Sequence, residues 1–247
     1  MNNETVNTPI TLTADEISAA LNGCKTQLRI PMEVKDWNPN DYSECMVEVG
    51  QNGQMIAVFQ NEDEQLSIES PFGKVGDVLW VKERHRPKAW SFDDGEVLIE
   101  YPDGDSRWQY TLTEEELETN PNDDYMIAIC DELIDRKVPM KKDNDELFDL
   151  DNLDNLPHWR NADVMPMFAS RIKFKITGMA VEKLNYLNLK DDEIKAEGAD
   201  YFTNSPINNE PRITFYQHLF AGHWDKKHPY FKSGTNIWVF NLQIEKI

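Results

Sequence analysis

Short apolar runs separated by polar turns make up most of the chain. The first of these runs has the spacing of a helix. Thr13 and Glu16 have the T-x-x-E spacing of a capping box, in which a hydroxyl and a carboxylate satisfy free amides at a helix start. An apolar stripe follows, and Gly23 lies where helices often end in a left-handed residue. The pattern predicts a helix at about residues 14–22, followed by a brief alternating strand from 24 to 31.

The middle of the chain has the two-residue period of half-buried strands. Residues 46–49 and 54–59 flank a glycine-containing turn, and residues 97–101 and 107–110 flank an Asp-Gly pair, so each set predicts a hairpin. Residues 78–81 are wholly apolar and too few for a helix, which predicts a buried strand.

The last third of the chain has the most regular patterns. Residues 171–177 alternate apolar and basic side chains, and residues 238–244 also alternate, so both are predicted strands. Two helices are predicted between them: one at 189–197 that ends at Gly198, and one with an apolar stripe over 213–224.

Short strands, few helices and no βαβ alternation predict an α+β fold, a small β-barrel with attached helices. Residues 78–81, 171–177 and 237–244 are expected to share one curved sheet. Residues 113–155 are expected outside it as an acidic insertion, which opens with a second capping box and closes with an asparagine-rich stretch. That stretch lacks the glycine of a calcium-binding loop, so a solvated acidic surface is predicted and no metal site.

The balance of charges limits the partners. The chain has 25 Lys and Arg residues against 45 Asp and Glu residues, a net charge of −20. Because nucleic-acid affinity comes largely from neutralising phosphates, extended nucleic acid is disfavoured as a partner. A local basic patch is the exception, since charges are screened beyond about 8 Å at physiological salt.

Composition also predicts the compartment. The 247 residues are 40% hydrophobic, enough for one sizeable core. No apolar run approaches the ~20 residues that span a bilayer, and the first residues lack a secretion signal, so a cytoplasmic protein without membrane contact is expected. Cys24, Cys45 and Cys130 show no C-x-x-C spacing, so neither a disulfide framework nor a zinc site is predicted, and no cofactor is expected.

Several segments together resemble one protein family. They are 23–29 (GCKTQLR), 76–83 (GDVLWVKE), 165–172 (MPMFASRI), 196–198 (AEG) and 236–240 (NIWVF). In order and spacing they are similar to the ASCH family, especially its longer phage and prophage members. The resemblance implies a PUA-like barrel whose cleft accepts a base or nucleoside, with residues 1–247 forming a single domain that has insertions at about 32–69 and 88–156. For a phage-encoded member, the compartment is the host cytoplasm.

Some compact ASCH members are amidohydrolases that remove acyl groups from the N4 position of cytidines. The resemblance matches their glycine-x-lysine-threonine segment to Lys25 and Thr26, and their later-helix glutamate to Glu197. Their further threonine, three residues after the lysine, corresponds to Leu28 in this sequence. The candidate nucleophiles are therefore Thr26, Cys24 or a water activated by Lys25 as a general base. Water is the simplest of them, because in an extended segment Thr26 points away from Lys25.

Five further residues are candidates for binding a base. Arg29 and Arg171 have the donors to hydrogen-bond a base or stabilise an oxyanion, and Glu83 lies just beyond a buried strand. Trp80 and Trp238 have rings that can stack on a base. Each feature also has a structural interpretation: the lysine–glutamate pair pins the first helix to the barrel, the arginines tie down loops, and the tryptophans fill the core.

Three functions fit these observations. The first is an amidohydrolase acting on N4-acylated cytosine nucleosides, with a small nucleoside as its partner. The second is a non-catalytic module that recognises a base in RNA or DNA, and the third is an acidic phage counter-defence protein that imitates nucleic acid. Charge favours the first, because a neutral nucleoside approaches an acidic protein with little repulsion, whereas a polynucleotide is repelled at every phosphate.

Overall fold

The computed structural model describes residues 6–32, 44–50, 54–61, 65–91, 96–110, 122–141, 144–150, 152–202, 214–231 and 234–245. The chain divides into two compact units, the first comprising Met1–Trp80 with Ile172–Ile247 and the second comprising Val81–Arg171. The described residues form an α+β fold in which strands predominate. No helix in these ranges is long and apolar enough to cross a membrane.

The described strands are β1 (Asn7–Thr11), β2 (Gln27–Pro31), β3 (Glu44–Val49), β4 (Met55–Gln60), β5 (Gln65–Glu69), β6 (Val78–Lys82), β7 (Arg86–Ser91), β8 (Glu96–Glu100), β9 (Ser106–Tyr110), β10 (Met140–Lys141), β11 (Asn144–Phe148), β12 (Lys173–Lys183) and β13 (Asn236–Glu245). The described helices are α1 (Ala14–Leu21), α2 (Asn122–Asp135), α3 (Asp191–Ala196) and α4 (Phe215–Lys227). Short 3-10 turns lie at Leu153–Asn155, Ala162–Val164, Met167–Ala169 and Ala199–Tyr201.

The first unit is built on a five-stranded sheet with the order β1-β6-β12-β13-β2. Strands β12 and β13 pair antiparallel, with Phe174 opposite Ile244, and a bulge between Ile176 and Gly178 shifts their register. The prediction that the three most regular strand segments share one sheet is confirmed, since β6, β12 and β13 are neighbours. Among the described strands this sheet does not close into the expected barrel, because β1 and β2 form its two edges.

Helices α3 and α4 pack on β13 through an apolar cluster. Its buried members include Ile194 of α3, Phe220 and Trp224 of α4, and Ile237 and Val239 of β13. The helical stripe and the alternating strand pattern of the sequence therefore correspond to two faces that bury each other.

Helix α1 is capped at both ends as predicted. Glu16 N donates to Thr13 Oγ1 at 3.3 Å, and Thr13 N donates to Glu16 Oε2 at 2.9 Å. Gly23 follows the helix with a φ of +72°, a conformation that favours glycine. The strand expected from residue 24 begins only at Gln27, because the two amides after Gly23 donate to the carbonyl of Ala19 in the last helical turn.

A three-stranded sheet, β3-β4-β5, also belongs to the first unit. The predicted hairpin of residues 46–49 and 54–59 is confirmed as β3 and β4, which pair antiparallel with Val47 opposite Ala57. Strand β5 pairs with β4 and was not predicted, because only two of its five side chains are apolar.

The second unit contains the sheet β7-β8-β9, the helix α2 and the ribbon β10-β11. The predicted hairpin is confirmed as β8 and β9, with Gly104 at a φ of +84° in the turn. One apolar cluster packs against β8 and consists of Val97, Ile99, Tyr101, Met165 and Ala169. A second one lies under α2 and consists of Ile129, Leu133 and Phe148.

The described part of the acidic segment 113–155 lies outside the five-stranded sheet, as predicted. Helix α2 within it was not predicted, because its short apolar stripe is interrupted by acidic side chains. The second capping box, at Thr113 and Glu116, lies outside the described residues. The assignment of 1–247 to one domain with two insertions stays a prediction.

Candidate active site

Lys25 lies at the centre of a buried ion cluster in the first unit. Its side chain is fully buried. Its Nζ lies 3.2 Å from Glu16 Oε1, 3.2 Å from Glu197 Oε2 and 3.1 Å from the backbone oxygen of Glu197. An ammonium has three N–H donors, so each of them has an acceptor here. Lys25 and Glu197, which the sequence resemblance singles out together, therefore lie within hydrogen-bond reach although 172 positions separate them.

Three local features bring these side chains together. Glu16 lies in the first turn of α1, where it also completes the capping box. Lys25 lies in the connection from α1 to β2, and Glu197 follows the last residue of α3. Gly198 has a φ of +93° and lies so close to α1 that a Cβ atom there would be 2.5 Å from Ala19 Cβ. Glycine therefore allows the end of α3 to approach α1.

Further cations surround the two carboxylates. Arg29 Nη1 lies 2.9 Å from Glu197 Oε1, and Lys227 Nζ lies 2.8 Å from both carboxylate oxygens of Glu16. Arg29 Nη2 also lies 3.8 Å from the half-exposed carboxylate of Glu182. We define the Lys25 cluster as Glu16, Lys25, Arg29, Glu197 and Lys227. It holds three cations against two buried carboxylates.

Opposite charges outweigh burial in the Lys25 cluster. Burial alone would raise the pKa of Glu16, but its neighbours, above all the Lys25 ammonium, hold that pKa well below its usual value. Burial alone would lower the pKa of Lys25, but the carboxylates of Glu16 and Glu197 raise it. Lys25 is therefore a cation at neutral pH.

Three buried nitrogen atoms in this part of the molecule have no hydrogen-bond partner among the described residues: Arg29 Nε, His223 Nε2 and His228 Nε2. His223 stacks on Phe202 with ring centroids 3.8 Å apart, and burial lowers the pKa of His228 to about 4. Arg29 Nε is permanently protonated and can only donate. It is therefore a buried donor of the Lys25 cluster without an acceptor among the described residues.

The side chains of the candidate nucleophiles Thr26 and Cys24 are exposed, whereas that of Lys25 is buried. Thr26 is exposed, and its amide donates to the carbonyl of Ala196. Cys24 is also exposed. Leu28 is buried in β2. No hydrogen bond joins the side chains of Thr26 or Cys24 to Lys25 within the described ranges.

The two candidate stacking residues lie in the core of the first unit. Trp80 on β6 is 8% exposed and Trp238 on β13 is 1% exposed. The Trp238 ring lies 6.3 Å from that of Phe240. Both side chains therefore contribute core packing in this structure.

Glu83 and Arg171 belong to the second unit, where they pair with each other. Nε and Nη2 of Arg171 donate to the two oxygens of Glu83 at 2.9 and 2.8 Å, a bidentate pair. Asp103 and Asp105 contact the same guanidinium at 2.8 and 3.0 Å, and its carbon lies 4.0 Å from the ring centroid of Tyr101. We define these five residues as the Arg171 cluster. The cluster links the turn between β8 and β9 to Glu83, which precedes the β7-β8-β9 sheet in the chain, and to Arg171, which follows it.

Sequence patterns identify Glu16 only as a capping residue and do not identify Lys227 at all. A signal for Glu16 is present, since it lies one helical turn before the buried Ala20 and so shares the buried face of α1. A carboxylate on an apolar face needs a buried cation. Lys227 lies 211 positions away, in the last turn of α4, and its neighbours in the sequence do not indicate this contact.

No family model, curated protein or solved structure matches this chain. The described residues contain no group of three or more His, Cys, Asp or Glu side chains that could hold a metal ion. The ASCH resemblance therefore rests on the sequence segments alone.

Proposed function

We propose that this chain is an amidohydrolase that removes acyl groups from N4-acylated cytosine nucleosides, with the Lys25 cluster as its catalytic centre. One observation carries the proposal. Lys25 and Glu197 are 3.2 Å apart, at the two positions to which the ASCH resemblance assigns the lysine and glutamate of the compact enzymes. The proposed substrate is a neutral nucleoside, in keeping with the net charge of −20.

The reaction determines what the cluster must do. Water adds to the acyl carbon, the carbonyl oxygen becomes an oxyanion, and the bond from carbon to N4 breaks as N4 takes up a proton, giving a carboxylic acid and the cytosine nucleoside. The raised pKa of Lys25 keeps the side chain a cation, and a cation can stabilise the oxyanion and donate a proton to N4. It does not suit the general base expected from the resemblance, because even at an ordinary pKa only about one lysine in a thousand is neutral at pH 7.5.

Substrate binding requires an exchange of hydrogen bonds, because all three donors of Lys25 are in use. Glu16 is the acceptor to be released, since it keeps Lys227 at 2.8 Å. Once the ammonium turns to the acyl oxygen, the pKa of Glu16 rises toward its usual value and Glu16 can accept a proton from the attacking water. Glu197 keeps Lys25 and Arg29 in place, and Arg29 Nε supplies a free donor to the substrate.

Incubation with N4-acetylcytidine, followed by chromatographic measurement of released cytidine, tests the proposal. Lys25→Met should reduce turnover at least ~100-fold, the usual cost of losing a proton-transfer group. Glu197→Gln should also reduce turnover, because it removes the charge that keeps Lys25 and Arg29 in place. Lys175→Met removes the same charge from an exposed position on β12 and should leave turnover unchanged. Full activity in both Lys25→Met and Glu197→Gln would show that the pair is structural.

Two further measurements distinguish the mechanisms. If Lys25 acts as an acid, the rate should fall as pH rises toward its pKa, whereas a base would make the rate rise over the same range. Leu28→Thr should raise the activity if a hydroxyl nucleophile can operate in this cluster, and should change little if water is the nucleophile.

A non-catalytic base-recognition module is the second candidate, and the same cluster supplies the observation that favours it. The three donors of Lys25 are saturated by protein acceptors, and Leu28 replaces a hydroxyl. This candidate predicts that N4-acetylcytidine and cytidine bind in a calorimetric titration while no cytidine is released.

A further inference from the structure

The second unit carries a row of cations that lies outside both ion clusters. Along the extended segment from residue 82 to 88, burial alternates with a period of two, and the odd-numbered side chains are buried. The even positions are the basic ones: Lys82, Arg84, Arg86 and Lys88. Same-face positions of a strand are ~6.6 Å apart, so the four cations extend over about 20 Å. We call these four residues together with Trp159 the basic ridge.

Trp159 lies among these cations. A β-bridge between His85 and Arg160 pairs the two segments antiparallel, which places Trp159 on the same face as Arg84 and Arg86. The guanidinium carbons of the two arginines lie 5.4 and 4.8 Å from the indole centroid. These cation–π contacts hold both guanidiniums in place, so less side-chain freedom is lost when a ligand binds them.

The basic ridge keeps positive charge after its own ion pairs are counted. Glu100 contacts Arg86 at 2.6 Å and Lys88 at 3.6 Å, so one carboxylate serves two cations. Arg84 is exposed and forms no ion pair with any residue in the described ranges. At least two positive charges of the ridge are therefore not neutralised by a carboxylate and can attract an anionic ligand.

We infer that the basic ridge binds the backbone of single-stranded nucleic acid. Guanidinium groups bind phosphates in a bidentate geometry, and the partly exposed indole of Trp159 is a surface on which an unpaired base can stack. The ridge is the local basic patch that can overcome a net charge of −20 at short range. A thin strand can follow it, whereas a duplex brings further phosphates over acidic surroundings. The inference uses residues of the second unit only and does not depend on the proposed hydrolase.

Fluorescence anisotropy with a labelled oligouridine of about 12 nucleotides, within the range of single-strand site sizes, tests this inference. The full chain should bind with a Kd of about 10⁻⁵ M at physiological salt, and log K should fall with log salt at a slope of about −1.4, as for two phosphate contacts. Arg84→Gln should reduce that slope to about −0.7. Trp159→Leu should weaken binding about ten-fold, while Trp159→Phe retains most of the affinity because it keeps an aromatic ring.

Two matched variants keep the test decisive. Lys137→Gln removes the same charge as Arg84→Gln from an exposed loop of the same unit and should leave binding unchanged. Glu100→Gln frees Arg86 and Lys88 and should tighten binding and steepen the salt slope by about 0.7, a gain that a misfolded variant cannot produce. Absent binding, equal effects of Arg84→Gln and Lys137→Gln, or equal affinity for a duplex of the same length would each overturn the inference.

Discussion

The Lys25 cluster and the Arg171 cluster both bury a cation against carboxylates, but their charges balance differently. In the first, both carboxylates are almost fully buried, and two further cations, Arg29 and Lys227, contact them. In the second, one guanidinium faces three carboxylates, of which Asp103 and Asp105 are 46% and 40% exposed. One cluster is enclosed and rich in cations, while the other is partly solvated and rich in anions.

This difference decides which carboxylates keep their charge. Burial alone would raise the pKa of both Glu16 and Glu83. In the Lys25 cluster the neighbouring cations have the larger effect, so the pKa of Glu16 is lowered. In the Arg171 cluster the guanidinium of Arg171, even with that of Arg107, does not compensate for burial, and the nearby Asp103 adds repulsion, so the pKa of Glu83 is raised. The number of cations per buried carboxylate therefore matters more than the depth of burial.

The largest difference between the clusters is expected on removal of the central cation. Lys25→Met should lower the free energy of unfolding by about 3–5 kcal/mol, because two buried carboxylates lose a partner. Arg171→Met should cost about 2 kcal/mol, because the two aspartates can turn to water and Glu83 can take up a proton. Urea denaturation measures both values.

The exposed Lys175→Met serves as the control for these variants and should stay within about 0.5 kcal/mol of the parent protein. If Lys25→Met and Arg171→Met lowered the free energy of unfolding equally, the enclosed cluster and the partly solvated cluster would not differ in their contribution to stability.

Two glycines, one beside each cluster, extend the comparison to the backbone. Gly198→Ala should cost about 2–4 kcal/mol, since alanine meets both a positive φ and the methyl group of Ala19 at 2.5 Å. Gly104→Ala, in the turn that carries the aspartates of the Arg171 cluster, has a positive φ but no atom within 4 Å of its Cβ, and should cost only about 1 kcal/mol. Thermal unfolding of the pair checks the difference. A cost for Gly198→Ala no larger than that for Gly104→Ala would mean that α1 moves aside without penalty.

The smallest effect expected is a pH dependence of opposite sign in the two clusters. A carboxylate with a lowered pKa, such as Glu16, stabilises the fold above its unfolded-state pKa near 4.3, and this stabilisation is lost as pH falls through the lower folded-state pKa. For Glu83, with a raised pKa, stability instead declines as pH rises from about 4.3 through the folded-state pKa. The loss in free energy of unfolding caused by Glu16→Gln should therefore be smaller at pH 3 than at pH 7. The loss caused by Glu83→Gln should be larger at pH 3 than at pH 7. Urea titrations across this range decide the sign for each variant.

Much of the fold was predictable because its signals are local. The capping box of Thr13 and Glu16, the left-handed glycines and the alternation in β12 and β13 each require only neighbouring residues, and all three are confirmed. Strand β5 was missed because only two of its five side chains are apolar, and β7 because a proline and two basic residues interrupt its pattern. Tertiary pairing, which local propensity does not report, holds both strands in sheets.

The site was predictable only in part, because ion clusters depend on contacts between distant positions. The pair of Lys25 and Glu197 was predicted from the family resemblance, whereas Glu16 carried only a capping signal and Lys227 carried none. Arg171 and Glu83 were identified separately as binding candidates, but their bidentate pairing across 88 positions could not be derived from spacing.

Helix α1 has consequences for the order of folding. It has eight residues, fewer than the ~12 that an isolated helix needs for marginal stability. Its stabilising partners are Glu197, Gly198 and Lys227, which lie far along the chain, and contacts of such high sequence separation form slowly. During synthesis, α1 therefore cannot be stabilised until the segments that contain Glu197, Gly198 and Lys227 have been made. During refolding, α1 is expected to be among the last elements to become protected from hydrogen exchange.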